Sequence, residues 1–399
     1  MPYIQHVKDR KYKLCTDDPK SIKRKRICLT VEVPTELSNS ERKTQLWLNK
    51  ELAIFAEKIE NGEIVKTNKV TLDQFYAQWK KGYADQAMGE YTRYMTNNVY
   101  NIYIKPVFGD IQLDKIKTLH IVNFFADLKR KDGKPMATNT KQNIYKALKS
   151  FLDHAHKWRL IADNPMDGVD KPSAAKKEKR EMRQRKKSYT AIEVESVISS
   201  LYELPDRWRL YYIGVLLGGF RRGEMLAVEW DNVEFKAGGI FIEKQITFDE
   251  QGDKNEDEVK TESSEGFVPM PIWYMDELAK YKTLWDIEKK NCKAWNGGTK
   301  QYLFHPGDGN MYYPNTPSLT WRRFLAKKEL PYIRLHDLRH TTAMLLRSYG
   351  ADLKQIQERL RHTKLSTTTD IYMHETELIS RDTADHLEAL NPKNKKSVT

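Results

Sequence analysis

Cysteine is scarce in this chain: Cys15, Cys28 and Cys292 are the three in 399 residues. So few and so scattered, they exclude a disulfide framework or a zinc ribbon, and structural thiols in a reducing cytosol are expected. Long apolar runs are missing as well. No stretch of about 18 apolar residues occurs, so no membrane-spanning helix is expected. The opening Met-Pro-Tyr-Ile-Gln-His-Val-Lys has none of the apolar segment of a signal peptide. A soluble, cytoplasmic protein with no membrane partner is the expectation. No internal repeat appears at solenoid periods. Acid is in deficit: 55 Asp and Glu stand against 68 Lys and Arg, for a net charge of +13. Such a surplus favours a polyanionic partner, and where it falls along the chain says more than its size.

The length allows two or three domains, and four segments differ in character. Residues 1–65 open with β-forming runs, Tyr12–Cys15 and Ile27–Val33, around a turn with Asp17, Asp18 and Pro19. Lys20, Lys23, Arg24, Lys25 and Arg26 place five positive charges within seven residues. Ser38-Asn39-Ser40 then caps a helix with Leu46, Leu52, Phe55 and Ile59 at apolar positions. A small sheet on one helix, with a basic turn exposed, reads as a DNA-binding module; the alternative is a solvated hairpin with no ligand.

Residues 66–170 read as all-helical, with helices starting at Thr71 and Gly89, a break at Pro106 and Gly109, and further helices over 118–130 and 139–158. Ile121, Val122, Phe125 and Leu128 mark the apolar side of the third. Lysines on these helices, Lys141 among them, suit either a phosphate-facing surface or plain solvation. Residues 171–187 hold six lysines and three arginines against two glutamates, a net of +7, with no apolar periodicity. They read as an exposed linker that also touches phosphates, with Lys176, Lys177 and Arg180 as candidate contacts. Residues 188–399 are mixed. A buried helix runs from Trp208 to Gly219, strands are expected at 239–244 and 267–271 with an acidic loop, Asp249 to Glu258, between them, and helices resume at Ile272. The fold class is therefore multidomain: a small α+β N-terminal domain, an all-α domain and a mixed α+β C-terminal domain.

The chemistry gathers in the last of these. Arg221 follows Gly218-Gly219 at a helix junction, where a guanidinium can hold two phosphate oxygens. His336 and Arg339 lie three residues apart on one helix face, Gly350 and Asp352 read as a helix stop and a new N-cap, and His362 closes the next helix. Two guanidinium forks would neutralise a phosphodiester and stabilise a five-coordinate phosphorus. The imidazoles can donate to its oxygens or move a proton, and Lys260 can protonate a leaving oxygen. Tyr372, with an ordinary pKa of about 10, needs neighbouring cations to act as a nucleophile. His336 and His340 also have the i, i+4 spacing of a zinc pair, but Asp337 stands where the zinc-protease pattern has Glu and no third ligand follows.

Taken in order, these segments resemble the tyrosine recombinase (integrase) family, lambda-integrase-like, over most of the chain. The resemblance rests on Gly219-Phe-Arg221-Arg-Gly-Glu224, Lys260-Thr-Glu-Ser-Ser264, Leu335-His-Asp-Leu-Arg-His340, Leu360-Arg361-His362 and Thr368-Thr-Asp-Ile-Tyr372-Met-His374. A further pattern, Ile104 to Leu113, is similar to that of the family's core-type DNA-binding domain, and the basic N-terminus is similar to an arm-site-binding domain. Arg361 departs from the family's usual Gly before the His. Glu265-Gly266 departs from the basic residues often found after the Ser-Ser pair.

The resemblance implies a catalytic set of Arg221, Lys260, His336, Arg339, His362 and Tyr372, with Tyr372 as nucleophile and Glu224 supporting. It implies strand exchange through a 3′-phosphotyrosine and a Holliday junction, without metal or nucleotide cofactor. It also implies a homo-tetramer on double-stranded DNA with core and arm sites, helped by DNA-bending and directionality factors. The element would be a phage or a conjugative transposon. Type IB topoisomerase-like relaxation and a non-catalytic DNA-binding regulator are the competing readings. The amphipathic tail (Ile379, Ala384, Leu387, Leu390) docks either on a neighbour or on its own domain.

Overall fold

The computed structural model describes residues 2–17, 26–38, 40–60, 70–130, 132–259 and 264–363. The chain divides into two compact units, Met1–Ala174 and Ala175–Thr399. In the first unit, β1 (Tyr3–Lys8), β2 (Lys11–Asp17) and β3 (Arg26–Glu32) form an antiparallel sheet in that order. Helix α1 (Glu41–Glu60) closes a small core of Leu14, Ile27, Val33, Leu48, Phe55 and Ile59. Strand β1 escapes a sequence reading because Gln5, His6 and Lys8 show no apolar alternation; Ile4 alone packs on that core. On α1 the buried stripe runs through Leu48 rather than Leu46, which is 65% exposed. The β2–β3 register sets Cys15 directly opposite Cys28, and the two are joined as a disulfide. This corrects the expectation of separate thiols, since strand register is not visible in the spacing of two cysteines. Cys292 is free. Arg26 opens β3 beside Tyr3, whose hydroxyl it reaches at 3.3 Å. Lys20, Lys23, Arg24 and Lys25 lie outside the described residues.

The helical part of this unit has its own core. Helix α2 (Leu72–Trp79) starts at Thr71, whose hydroxyl accepts from the Gln74 amide while the Gln74 side chain accepts from that of Thr71. A π-turn (Lys80–Ala84) leads into α3 (Asp85–Ala87), followed by α4 (Glu90–Val99), a second π-turn (Tyr100–Ile104) and α5 (Lys105–Phe108). Helical structure thus continues through Pro106, where a break is expected from sequence. Proline in the first turn of α5 forgoes only an amide that would otherwise seek a partner, and the π-turn before it absorbs the change in pitch. Helix α6 (Thr118–Asp127) buries Ile121, Phe124 and Phe125 and leaves Val122 exposed, and α7 (Thr138–Lys157) spans the core. Lys141 points inward: its ammonium donates to the Phe125 carbonyl at 3.1 Å, near the negative end of α6, rather than standing free for phosphate.

The second unit begins with α8 (Lys176–Gln184), so the segment read as an exposed linker is helical over much of its length. Lys, Arg, Glu, Gln and Met are strong helix formers, and helicity here needs no buried face. Lys176, Lys177 and Arg180 lie on it and are exposed. Helices α9 (Ala191–Leu201), α10 (Asp206–Gly218) and α11 (Arg222–Ala227) precede β4 (Val233–Glu234), β5 (Gly239–Ile242), β6 (Lys244–Phe248), β7 (Lys254–Glu258) and β8 (Gly266–Pro269). Strands β4, β5 and β8 make one sheet and β6–β7 a separate hairpin. The second half of the expected acidic loop is strand β7. Its Glu256 is offset by Lys300 at 2.6 Å and by Lys244 at 3.7 Å, and accepts from Tyr302 at 2.6 Å. Helices α12 (Ile272–Asn291), α13 (Thr316–Lys327), α14 (Asp337–Ser348) and α15 (Leu353–Leu360) complete the unit. Helix α10 is buried almost throughout, as a central helix must be when others pack around it. No helix among the described residues is long and apolar enough to cross a membrane.

Phe151, fully buried on α7, meets Trp79 and Tyr100 edge-on at 4.7 and 5.7 Å between ring centres. Phe151→Ala should cost about 3–5 kcal/mol of stability, read as a lowered urea midpoint for the N-terminal unit; an unchanged midpoint would contradict this packing.

Candidate active site

The site is built where α10, α11, α14 and α15 end or begin. Helix α10 stops at Gly219, which adopts a left-handed conformation (φ 62°, ψ 26°) that glycine takes without strain. There is no room for anything larger: a Cβ at this position would lie 2.5 Å from Leu360 Cδ2. The reversal lets Phe220 bury and Arg221 start α11, where the Arg221 amide donates to Glu224 Oε2 at 2.9 Å. The Arg221 guanidinium, about a third exposed, donates to Glu224 Oε1 at 2.6 Å and to Ser264 Oγ at 3.2 Å.

Helix α14 supplies Arg339, which is only 2% exposed. Its guanidinium fans into three acceptors: the Gly219 carbonyl (2.5 Å), the Leu360 carbonyl and His362 Nε2 (3.3 Å). Since Arg339 can only donate, His362 accepts through Nε2, which leaves Nδ1 as the protonated nitrogen of the neutral ring. Helix α15 begins with a reciprocal cap between Asp352 and Gln355 and ends at Arg361, also left-handed (φ 53°, ψ 49°). His362 is held just beyond by its amide donating to Gln357 O at 3.0 Å and its carbonyl accepting from Gln357 Nε2 at 2.9 Å.

His336 sits at the start of α14 and reaches the surface, whereas Arg339 three residues on is buried; the shared helix face divides into an outer and an inner position. Crowding by protein lowers the His336 pKa to about 4, with His340 and Arg339 adding repulsion. Burial, followed by Arg339 and Arg221, lowers that of His362 to about 3. Both rings are therefore neutral near pH 7 in the free protein. Burial lowers the pKa of Arg339 too, with Arg221 adding repulsion; a guanidinium starts so high that it stays charged.

The structure thus brings together two bonded pairs, Arg221–Glu224 and Arg339–His362, linked through the Gly219 carbonyl and close enough to be felt electrostatically by one another, with His336 felt at His362 as well. Lys260 and Tyr372 lie outside the described residues. Two residues not singled out from sequence belong to the support. Asp337, fully buried, accepts from Arg334 Nη2 at 2.9 Å and from Arg185 Nη2 at 3.3 Å, so it fixes the start of α14. Thr342 donates to the Leu216 carbonyl at 2.5 Å, tying α14 to α10. Asp337 was visible in the Leu335–His340 run, but only as a poor zinc-protease residue. Arg361 is the other surprise: it is buried and bonded to Glu224 at 2.5 Å.

Gly219→Ala should lower stability by about 1–3 kcal/mol through left-handed strain and the contact with Leu360, seen as a lower Tm. The free protein should also lose stability as pH falls. His362, neutral when folded but titrating near 6.5 when unfolded, contributes fully above pH 6.5 and progressively less from there towards pH 3. The slope is at most about 1.4 kcal/mol per pH unit. His362→Gln should flatten the Tm–pH curve in that window; an equal slope in the variant would refute the assignment.

Residues 188–378 match the phage integrase family and residues 71–129 the phage integrase N-terminal SAM-like domain. A tyrosine recombinase XerC-like protein of Caldanaerobacter subterraneus subsp. tengcongensis is 26% identical over 345 residues, which is 84% of this chain and 86% of that protein. The ICEBs1 integrase of Bacillus subtilis is 26% identical over 74% of this chain and 78% of its own length. Among solved structures, the Tn1549 transposon integrase in complex with transposon right end DNA shares the fold with a TM-score of 0.62 at 18% identity, over 80% of this chain and all of that one. A lambda integrase dimer bound to a COC′ core site has a TM-score of 0.56 at 16% identity, over 93% of both chains. With its N-terminal SAM-like and C-terminal catalytic domains, the chain belongs to the phage integrase family of tyrosine recombinases.

Proposed function

We propose that this recombinase integrates and excises a mobile element, a phage or a conjugative transposon, by cutting and rejoining DNA at specific sites. The observation that carries the reading is the buried Arg339 guanidinium, bonded to the Gly219 carbonyl two residues before Arg221 and to His362. Fixed cations are thereby gathered around one point of the surface without a matching number of acids. Such a point suits one phosphodiester. Arg221 and Arg339 neutralise its non-bridging oxygens, and their preorganised charge favours the five-coordinate state over the ground state. His336 and His362, neutral when free, donate hydrogen bonds to the same oxygens.

Tyr372 is the nucleophile in this reading. Its phenolic oxygen bonds to phosphorus as the bond to the 5′-oxygen breaks. Lys260 delivers the proton that makes the leaving group a 5′-hydroxyl, and the phenolic proton passes to a neighbouring base. The product is a 3′-phosphotyrosine. A 5′-hydroxyl from a second duplex then attacks it, restoring the phosphodiester and freeing the tyrosine. Repeated on the other strands, the exchange passes through a Holliday junction, the state in which a lambda integrase tetramer has been solved. Four protomers act together in this scheme, with DNA-bending and directionality factors as accessory partners in the cytoplasm.

Residues 1–65 serve as the arm-site domain in this proposal, residues 66–170 as the core-site domain, residues 171–187 as a basic connector and residues 188–399 as the catalytic domain with its tail. In this proposal Lys20, Lys23, Arg24, Lys25, Arg26, Lys176, Lys177 and Arg180 contact DNA phosphates; the exposure of Arg26, Lys176, Lys177 and Arg180 supports their part in it. Lys141 is not proposed, because its ammonium is engaged at Phe125.

Tyr372→Phe should abolish covalent capture on a nicked suicide substrate while duplex affinity stays within about threefold; capture surviving the change would remove Tyr372 as nucleophile. Removing residues 1–65 should eliminate the arm-site footprint and leave core-site binding. In the intact protein arm binding should weaken at least ~10-fold between 50 and 200 mM salt. An arm footprint that persists after truncation would refute the domain's role.

A further inference from the structure

Arg361 stands in a left-handed conformation that favours glycine. Its side chain is 6% exposed, with the guanidinium carbon 5.4 Å from the centre of the Phe220 ring. A residue that is both strained and buried needs a reason to be charged. The reason on the structure is Glu224, 2% exposed. One carboxylate oxygen, Oε1, accepts from Arg221 Nη1 at 2.6 Å; the other, Oε2, accepts from the Arg221 amide at 2.9 Å and from Arg361 Nη2 at 2.5 Å. Arg361 Nε donates to the Ser264 carbonyl at 3.1 Å, and the Ser264 hydroxyl accepts from Arg221. Arg361 therefore touches both groups that hold Arg221.

Without it, the buried Glu224 would have Arg221 as its one bonded cation, and the pair would be neutral. With it, the trio carries a net charge of +1. We propose that Arg361 is a positioning residue for strand cleavage: it takes up the charge of Glu224, so that Arg221 is oriented by that carboxylate without being neutralised by it, and fixes Ser264 beside Arg221. This rests on the reading of Arg221 as a phosphate clamp. Arg361 is not itself a phosphate contact in this reading: Nη2 and Nε donate to Glu224 and the Ser264 carbonyl, and Nη1 is buried away from solvent.

The titration of Glu224 gives a readout that a merely structural role would not move. Burial pushes its carboxyl up, while Arg361 and then Arg221 more than reverse this, so its pKa lies below the ordinary glutamate value. The charged groups that face it are Arg221 at the start of α11, Arg361 at the end of α15 and, at longer range, Arg339 on α14. Removing Arg361 raises the Glu224 pKa. At low pH the carboxyl then protonates and releases Arg221, whereas at high pH it remains a competitor for Arg221's charge.

The test compares full-length wild type, Arg361→Gln, Arg361→Lys, Glu224→Gln and the Arg361→Gln/Glu224→Gln double variant. Single-turnover covalent capture on a nicked core-site duplex is measured from pH 5.5 to 8.5, alongside duplex Kd and Tm. Capture by Arg361→Gln is expected to fall at least ~10-fold at pH 8, with Kd within about threefold, and the deficit should shrink towards pH 5.5. Arg361→Lys should recover part of the rate. The double variant, in which a neutral amide can still accept from Arg221, should be faster than Arg361→Gln alone. If Arg361→Gln does not fold, the lysine and double variants carry the comparison. A double variant with the product of the two single losses, or a deficit independent of pH, overturns the proposal. A wild-type protein that forms no covalent adduct would instead overturn the recombinase mechanism on which it rests.

Discussion

One buried guanidinium holds the C-terminal unit's functional end together. Arg339 bonds the carbonyl that ends α10, a carbonyl in the last turn of α15 and the imidazole that follows it. The two carbonyls are groups that helices leave without partners at their carboxyl ends, and a cation is the favoured partner there. Desolvating a charge is costly, and the cost is offset only while all three acceptors stay in place. The same bonds that keep Arg339 buried therefore set the spacing between the Arg221 turn and His362. Thr342 and Asp337 brace α14 from either side, against the Leu216 carbonyl and against Arg334 and Arg185.

The free site is an electrostatic imbalance. Arg221, Arg339 and Arg361 crowd one carboxylate, Glu224, and the two imidazoles are kept neutral first by burial and then by repulsion from neighbouring groups, Arg339 among them. A phosphodiester arriving among them would relieve the repulsion, and affinity for that anion is in part strain already present in the empty protein. Preorganisation of this kind places the reorganisation cost in folding rather than in each turnover.

Much of this was readable from residues alone, because the site is assembled from short local runs. Gly219-to-Glu224 and Leu335-to-His340 each carry their own turn or cap signal, and the Asp352 cap and the Gly350 stop fall where expected. What escaped reading was non-local. The Cys15–Cys28 bond depends on strand register, β1 has no apolar alternation, and β7 is an acidic strand held by Lys300 from 44 residues away. Helix α8 has no apolar face to announce it. The orientation of Lys141 towards Phe125 is a tertiary fact that no lysine count contains, and Asp337 gained meaning only once Arg334 and Arg185 were seen to close on it.

The close approach of Gly219 and Leu360 makes two positions 141 residues apart share a single volume. A β-carbon on one side has to be matched by a shortened side chain on the other, or the two helix ends separate and Arg339 loses an acceptor. Across related chains these two positions should therefore drift as a pair, with their summed bulk held constant while either one alone varies. In a redesigned enzyme, a tighter or wider turn after α10 would have to be compensated first at the last residue of α15.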